Sequence, residues 1–214
     1  PGMMDAHIHF LGLRDTNQAL WLIGASEVRA ARSVMDAWRV LDSGFTTVRD
    51  IGGMNGIFMK RAIEEGSIPG PRILASGKVI SQTAGHGDWH FVPKEWSDSM
   101  LLGRLADGVG EVRKAAREQL REGADFLKIM ASGGVGITRE GEEPSQPELT
   151  VEEMRAAADV MHSAGRRMTA HADGVPGISN ALEAGVDCIE HGIYMNADHA
   201  KYMAEHGIGL VPTL

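Results

Sequence analysis

The sequence predicts an α/β fold: a (β/α)8 barrel of TIM type, lacking its last βα unit. Three observations predict it. Short, β-branched-rich runs alternate with amphipathic helical stretches, the pattern of parallel βα units. A glycine closes a helix a few residues before a strand at Gly44, Gly66, Gly123, Gly165, Gly185 and Gly207, where a left-handed residue ends a helix. Seven strands result, which suits an incomplete barrel better than an open doubly wound sheet, the alternative architecture.

The first strand is Met3–His9. Period-two alternation turns His7 and His9 to one face. A helix at Ser26–Leu41 leads to the strand Phe45–Asp50, and a helix at Gly56–Glu65 to the strand Arg72–Ile80. A helix over Arg104–Arg121 precedes the strand Asp125–Ala131. In the next helix, Val151–Ser163, the apolar Val151, Met154, Ala158 and Met161 recur at helical spacing. Thr150 offers an N-cap hydroxyl to that helix, with Glu152 and Glu153 at the positive end of its dipole. Strand Arg167–His171, helix Ile178–Ala184, strand Asp187–His191, helix Asp198–Glu205 and strand Ile208–Pro212 complete the series. The loops Ser81–Gly103 and Ser132–Thr150 are long, and long loops commonly carry function.

The 214 residues suit one domain spanning residues 1–214. A net charge of −8 argues against a nucleic-acid partner. No apolar run approaches the ~18–20 residues that cross a bilayer, so no membrane partner is expected. The single cysteine, Cys188, excludes an internal disulfide and a thiolate zinc cluster, and suits a reducing, cytoplasmic setting. The chain opens on Pro1 and stops in what reads as a strand, so a segment of a longer polypeptide is expected.

The active site of such a barrel lies at the C-terminal ends of its strands. His7 and His9 end strand one, His171 ends strand five and His191 ends strand six. Any one of these is ordinary as a hydrogen-bonded, half-buried histidine. Three strand ends together point to a metal site. Lys128 lies mid-strand among apolar residues. It would serve either as partner to a carboxylate or as a desolvated amine with a lowered pKa. A neutral amine adds carbon dioxide, giving a carbamate whose oxygens bind metal.

Pro1-Gly2-Met3-Met4-Asp5-Ala6-His7-Ile8-His9, the Lys128 strand, Ala170-His171-Ala172 and Ile189-Glu190-His191-Gly192 resemble the amidohydrolase superfamily, in its imidazolonepropionase-like and Xaa-Pro dipeptidase-like branch. The resemblance implies a binuclear site, usually of zinc. His7 and His9 would bind one ion, His171 and His191 the other, with carboxylated Lys128 and a hydroxide bridging them. It implies hydrolysis of an amide bond in a small molecule, a dipeptide or an N-acyl amino acid. It also implies an aspartate from strand eight and a small β-sandwich domain, which this chain does not contain. Relatives are often oligomers, so a homo-oligomer is compatible.

Other residues divide by context. The branch has a similar Gly85-His86-Gly87-Asp88 loop, which makes His86 a catalytic and substrate-contacting candidate. Asp88 is expected to tie down its turn. Tyr194 is a second substrate candidate, with a plain loop tyrosine as its rival. Many relatives have tyrosine or histidine in place of Asp173, so specificity should differ here. Ser132-Gly133-Gly134-Val135-Gly136 lacks the Lys-Ser/Thr of a phosphate loop and is expected to let the backbone pass close to the site. Arg139 and Arg166 read as solvated charges, the methionines as core filler, and Cys188 as buried and inert. The rival functions are a mononuclear deaminase or cyclic-amide hydrolase, against which Lys128 counts, hydrolysis of a lactone or organophosphate, and a non-catalytic barrel scaffold.

Overall fold

The computed structural model describes residues 1–15, 17, 21, 24–99, 102–136 and 141–213. The strands are β1 (Met3–Ile8), β2 (Phe45–Asp50), β3 (Arg72–Ala75), β4 (Val79–Ser81), β5 (Gly103–Leu105), β6 (Phe126–Met130), β7 (Arg167–Ala172), β8 (Cys188–His191) and β9 (Gly209–Val211). The helices are α1 (Ser26–Asp42), α2 (Asn55–Glu64), α3 (Lys94–Ser99), α4 (Gly108–Glu122), α5 (Val151–Ser163), α6 (Val175–Ala184) and α7 (Ala197–His206).

Every ladder is parallel, in two sheets ordered β1-β2-β3 and β5-β4-β6-β7-β8-β9. The sheets meet where the Asp125 N–H, just before β6, donates to the Ala75 carbonyl at the end of β3 (2.8 Å). Across the interior, His7 of β1 and Arg49 of β2 both reach Glu190 of β8, at 2.9 and 3.0 Å. The sheets therefore curl toward one another. No ladder joins β1 to β9 among the described residues, so barrel closure is not seen.

Three stretches differ from expectation, the first being the loop expected over Ser81–Gly103, which contains the short helix α3. The strand expected over Arg72–Ile80 is two strands, broken at Ser76-Gly77-Lys78. Gly77 is left-handed (φ 70°), and a β-carbon there would stand 2.5 Å from Gln119 Oε1. That oxygen accepts the Lys78 N–H, so α4 holds the break open (2.8 Å). The helix expected over Arg104–Arg121 starts at Gly108, because Gly103–Leu105 pairs with β4 as an edge strand. Gly108 then turns left-handed (φ 80°) and redirects the chain into α4.

The helix ends follow the pattern. Gly44, Gly66, Gly123, Gly165, Gly185 and Gly207 all have positive φ. Thr150 forms a full capping box with Glu153 at the start of α5. Met154 and Met161 of α5 are fully buried against Leu127, Ile129, Met168 and Ile189 of the sheet. Each such side chain contributes about 1.5–3 kcal/mol by leaving water. A second core cluster joins Ala37 of α1 and Ile57 of α2 to Val48 and Ile73. With helices covering the outer face, the inner face is left to polar side chains. No described helix is long and apolar enough to cross a membrane.

Candidate metal centre and active site

Alternation along the strands selects what faces the interior. His7 on β1, Lys128 and Met130 on β6, and His171 on β7 line one cavity of about 260 Å³ at the C-terminal ends of the strands. His9, His86, Asp173 and His191 join them, with Ile51, Leu102 and Val135 as apolar wall. A larger cavity, about 520 Å³, opens at the opposite strand ends around Arg49, Phe126 and Arg167 and holds none of the histidines or Lys128.

The rings come together in pairs. Ring centroids lie 5.5 Å apart for His7 and His9, and 4.8 Å apart for both His7–His191 and His171–His191. His191 reaches the cluster through backbone strain. Glu190 already points inward, so the next residue of a regular strand would point out. A left-handed backbone at His191 (φ 68°) turns its ring back into the cavity. Such a conformation is costly for a residue with a β-carbon and gathers at functional sites.

One nitrogen of each ring is committed to a protein acceptor. His7 Nδ1 donates to Glu190 Oε2 at 2.9 Å, and His9 Nδ1 to the Gly52 carbonyl at 3.3 Å. His171 Nε2 donates to the Gly133 carbonyl at 3.3 Å. His191 Nδ1 donates to Thr213 Oγ1 at 2.7 Å, since that hydroxyl spends its own proton on the Pro212 carbonyl. The second nitrogen of each ring keeps a lone pair. That arrangement is how ligating histidines are oriented.

Electrostatics keeps the rings neutral. Burial, then the neighbouring His86 and Lys128, hold His171 well below the usual imidazole range. Burial and Lys128 bring His191 down to about 3. Burial lowers His7 too, against the opposing pull of Glu190. Neutral imidazole is the form that binds a metal.

Glu190, fully buried, is the functional residue the sequence reading passed over. Burial alone would raise its pKa. Instead His7, Lys128, Arg49 and Thr169 hold it down at about 2. Thr169 Oγ1 donates to Oε1 at 2.6 Å and Arg49 Nη2 to the same oxygen at 3.0 Å. An acid inside the apolar strand Cys188–His191 was the available signal, overshadowed by the histidine beside it.

Lys128 is 2% exposed. Burial lowers its pKa to about 8, and Glu190 only partly offsets this. No carboxylate stands within ion-pair distance of it among the described residues. Asp173, beside it, is 1% exposed, and its Oδ1 lacks a hydrogen-bond partner.

His86 stacks on His171, with centroids 4.3 Å apart and planes 12° apart. Its Nδ1 meets Glu142 Oε1 at 2.5 Å. Asp88 accepts the Ala84 N–H at 2.8 Å and ties down its turn, as expected. The N–H groups of Gly133, Gly134 and Val135 are taken by Gln146, Glu142 and Asp173. They are thus spent within the protein, and the Gly133 carbonyl passes against His171.

Other candidates lie apart. Tyr194 is 55% exposed and does not line the cavity. Arg166 is half-exposed and stands 3.6 Å from Asp125. Arg139 lies outside the described residues. Cys188, expected to be buried, is partly so, because it opens onto the cavity at the opposite strand ends.

The donor set fits divalent metal: four imidazoles with oriented lone pairs, a buried amine, and an unpartnered carboxylate oxygen on Asp173. The fit is chemical rather than pre-closed. Among the described residues, no three His, Cys, Asp or Glu side chains are drawn tightly enough to hold an ion as they stand.

The model of the amidohydrolase family matches residues 1–214. Ochratoxinase from Aspergillus niger is 35% identical over 232 residues, which cover 100% of this chain and 47% of that protein. Its crystal structure superposes with a TM-score of 0.93 at 34% identity, over 100% of this chain and 52% of that one. A prolidase complexed with N-methylphosphonate-L-proline superposes at 0.89 with 36% identity, over 100% and 53%. A Xaa-Pro dipeptidase with methionine bound in its active site superposes at 0.85 with 34% identity, over the same shares. The chain spans about half the length of these relatives.

Proposed function

The chain belongs to the amidohydrolase family, and on that premise we propose that it carries the metal centre of a hydrolase that cleaves an amide bond in a dipeptide or N-acyl amino acid. One observation carries the reading: four histidines and a buried lysine, from four strands, face one cavity, each imidazole with one nitrogen oriented by a protein acceptor. The neighbouring prolidase and Xaa-Pro dipeptidase support a dipeptide, and ochratoxinase widens the class.

His7 and His9 would hold one divalent ion, His171 and His191 the second, zinc being the usual choice for such donors. Lys128, as a carbamate, would supply further oxygen ligands. To form it, the neutral amine would add to carbon dioxide: the C–N bond forms as one C=O π pair moves to oxygen, and the nitrogen loses a proton to solvent. Burial, and the lack of an ion-pair partner among the described residues, favour that neutral amine. When bound, two such ions would lower the pKa of water and polarise a carbonyl.

The chain's own residues do the rest. Glu190 holds the proton on His7 Nδ1, leaving Nε2 as the donor. Gly133 does the same for His171 in the opposite sense. Ile51, Leu102, Met130 and Val135 exclude water from the acyl group. His86, whose Nδ1 faces the Glu142 carboxylate, leaves Nε2 as an acceptor for a substrate N–H rather than as the donor that a carbonyl or carboxylate oxygen would need.

Metal content of the full-length protein, purified without chelators, tests the reading. About two equivalents are expected, with His171→Ala and His191→Ala each losing most of the second. Retention of both metals in both variants would overturn the ligand assignment, and about one equivalent in wild type would favour a mononuclear enzyme. The loaded protein should hydrolyse members of a panel of dipeptides and N-acyl amino acids.

A further inference from the structure

Residues 132–136 and 141–149, which follow β6, lie against the loop 82–90. They are pinned where the Gly133 N–H meets the Gln146 carbonyl (3.0 Å) and the Glu148 N–H the Ala131 carbonyl (3.0 Å). From them two carboxylates converge on one residue of that loop. Glu148 Oε1 accepts the His86 backbone N–H at 2.6 Å. Glu142 Oε1 meets His86 Nδ1 at 2.5 Å.

The ring is confined on its remaining sides. One face stacks on His171. The backbone of Gly134 runs so close that a β-carbon there would stand 2.5 Å from His86 Cε1. The side chain of Glu142 is fully buried. Its Oε1 also accepts the Gly134 N–H at 2.8 Å, which marks it as an acceptor and makes Nδ1 of His86 the donor. The nitrogen left for the cavity is Nε2.

We propose that Glu142 is the positioning residue of this site: it sets the tautomer and plane of His86, so that Nε2 presents its lone pair to an N–H of the substrate. The proposal rests on the amide-hydrolase reading for the substrate contact. The hold of Glu142 on the ring stands on geometry alone. A carboxylate ordering an imidazole in this way is a general device of enzyme sites. Here it also explains why the glycine-rich run follows β6. Gly134 leaves room for the ring and delivers the N–H that orients Glu142.

Glu142→Met tests it in the full-length protein. Methionine keeps a straight side chain of similar length but removes the one oxygen that accepts both the Gly134 N–H and the His86 Nδ1–H. Nitrogen NMR of 15N-histidine-labelled protein should show the His86 proton on Nδ1 in wild type and on Nε2 in the variant. With metal content unchanged, kcat/KM should fall about 10- to 100-fold, mostly in kcat. On a His86→Asn background the same substitution should change kcat/KM less than about twofold, because Glu142 acts through the ring.

A wild-type His86 with its proton on Nε2 would overturn the proposal, whether or not the variant folds. An equal loss on both backgrounds would reduce Glu142 to a structural role in the loop. If the loaded wild type hydrolysed no amide at all, the hydrolase reading would fall, and the NMR measurement would still decide whether Glu142 holds the ring.

Discussion

Glu190 Oε2 stands 2.9 Å from His7 Nδ1, joining β8 to β1 across 183 positions of sequence. The same carboxylate takes Arg49 from β2 and Thr169 from β7. One buried acid therefore fixes both the curl of the sheets and the orientation of a ring of the proposed metal centre.

Glu190→Gln should weaken metal retention about 10- to 100-fold, because His7 loses the acceptor that sets its tautomer. The variant should also lose stability, since Arg49 loses its charge partner inside the fold. Metal remaining after dialysis against a mild chelator, with a denaturation curve of the same sample, checks both effects.

Lys128→Met should lose metal yet stabilise the metal-free protein. The lysine titrates near 8 when folded, against 10.5 in its ordinary state. Between those values the unfolded chain binds the extra proton, so wild-type stability rises with pH across that window. Below pH 8 the penalty is fully present, about 3 kcal/mol. Urea denaturation at pH 7 and pH 10 should show the advantage of Lys128→Met shrinking at the higher pH.

Asp50→Asn should do the reverse at the acid end. Burial raises this carboxyl to about 7, against hydrogen bonds from Gly52 and Phe10 that pull it down. The folded state then holds a proton that the unfolded state releases near 3.8. Wild-type stability is thus fully present below that value and drains away as pH rises through 7. The variant should match wild type near pH 4 and exceed it at pH 8 by up to about 4 kcal/mol. Paired denaturation curves at the two pH values would show a flat difference if Asp50 were ionised throughout.

Thr150→Ala should cost about 1 kcal/mol by removing the α5 N-cap, whose hydroxyl accepts the Glu153 N–H. The residue lies outside the cavity, so a lower Tm with unchanged kcat is expected.

Much of this was legible in the sequence because it is local. The glycine closures, the Thr150 cap and the period-two placement of His7, Lys128 and His171 depend on near neighbours. What escaped depends on contacts made at long range. Gln119 breaks the strand at Gly77 from another helix. Glu142 acquires its meaning from a ring 56 positions earlier. Glu190 does so from a partner at the start of the chain. Alternation would also have aimed His191 outward once Glu190 was placed inward, and a backbone φ of 68° is not written in residue type.

That backbone sets two demands against each other at a single position. Left-handed geometry costs roughly 1–2 kcal/mol in a residue with a β-carbon, so asparagine at 191, which tolerates the turn, would relax the chain while removing an imidazole. Sequence change that rewards folding alone should drift away from histidine here. Retention of histidine at 191 in functional homologues would then measure how strongly the chemistry outweighs the comfort of the fold.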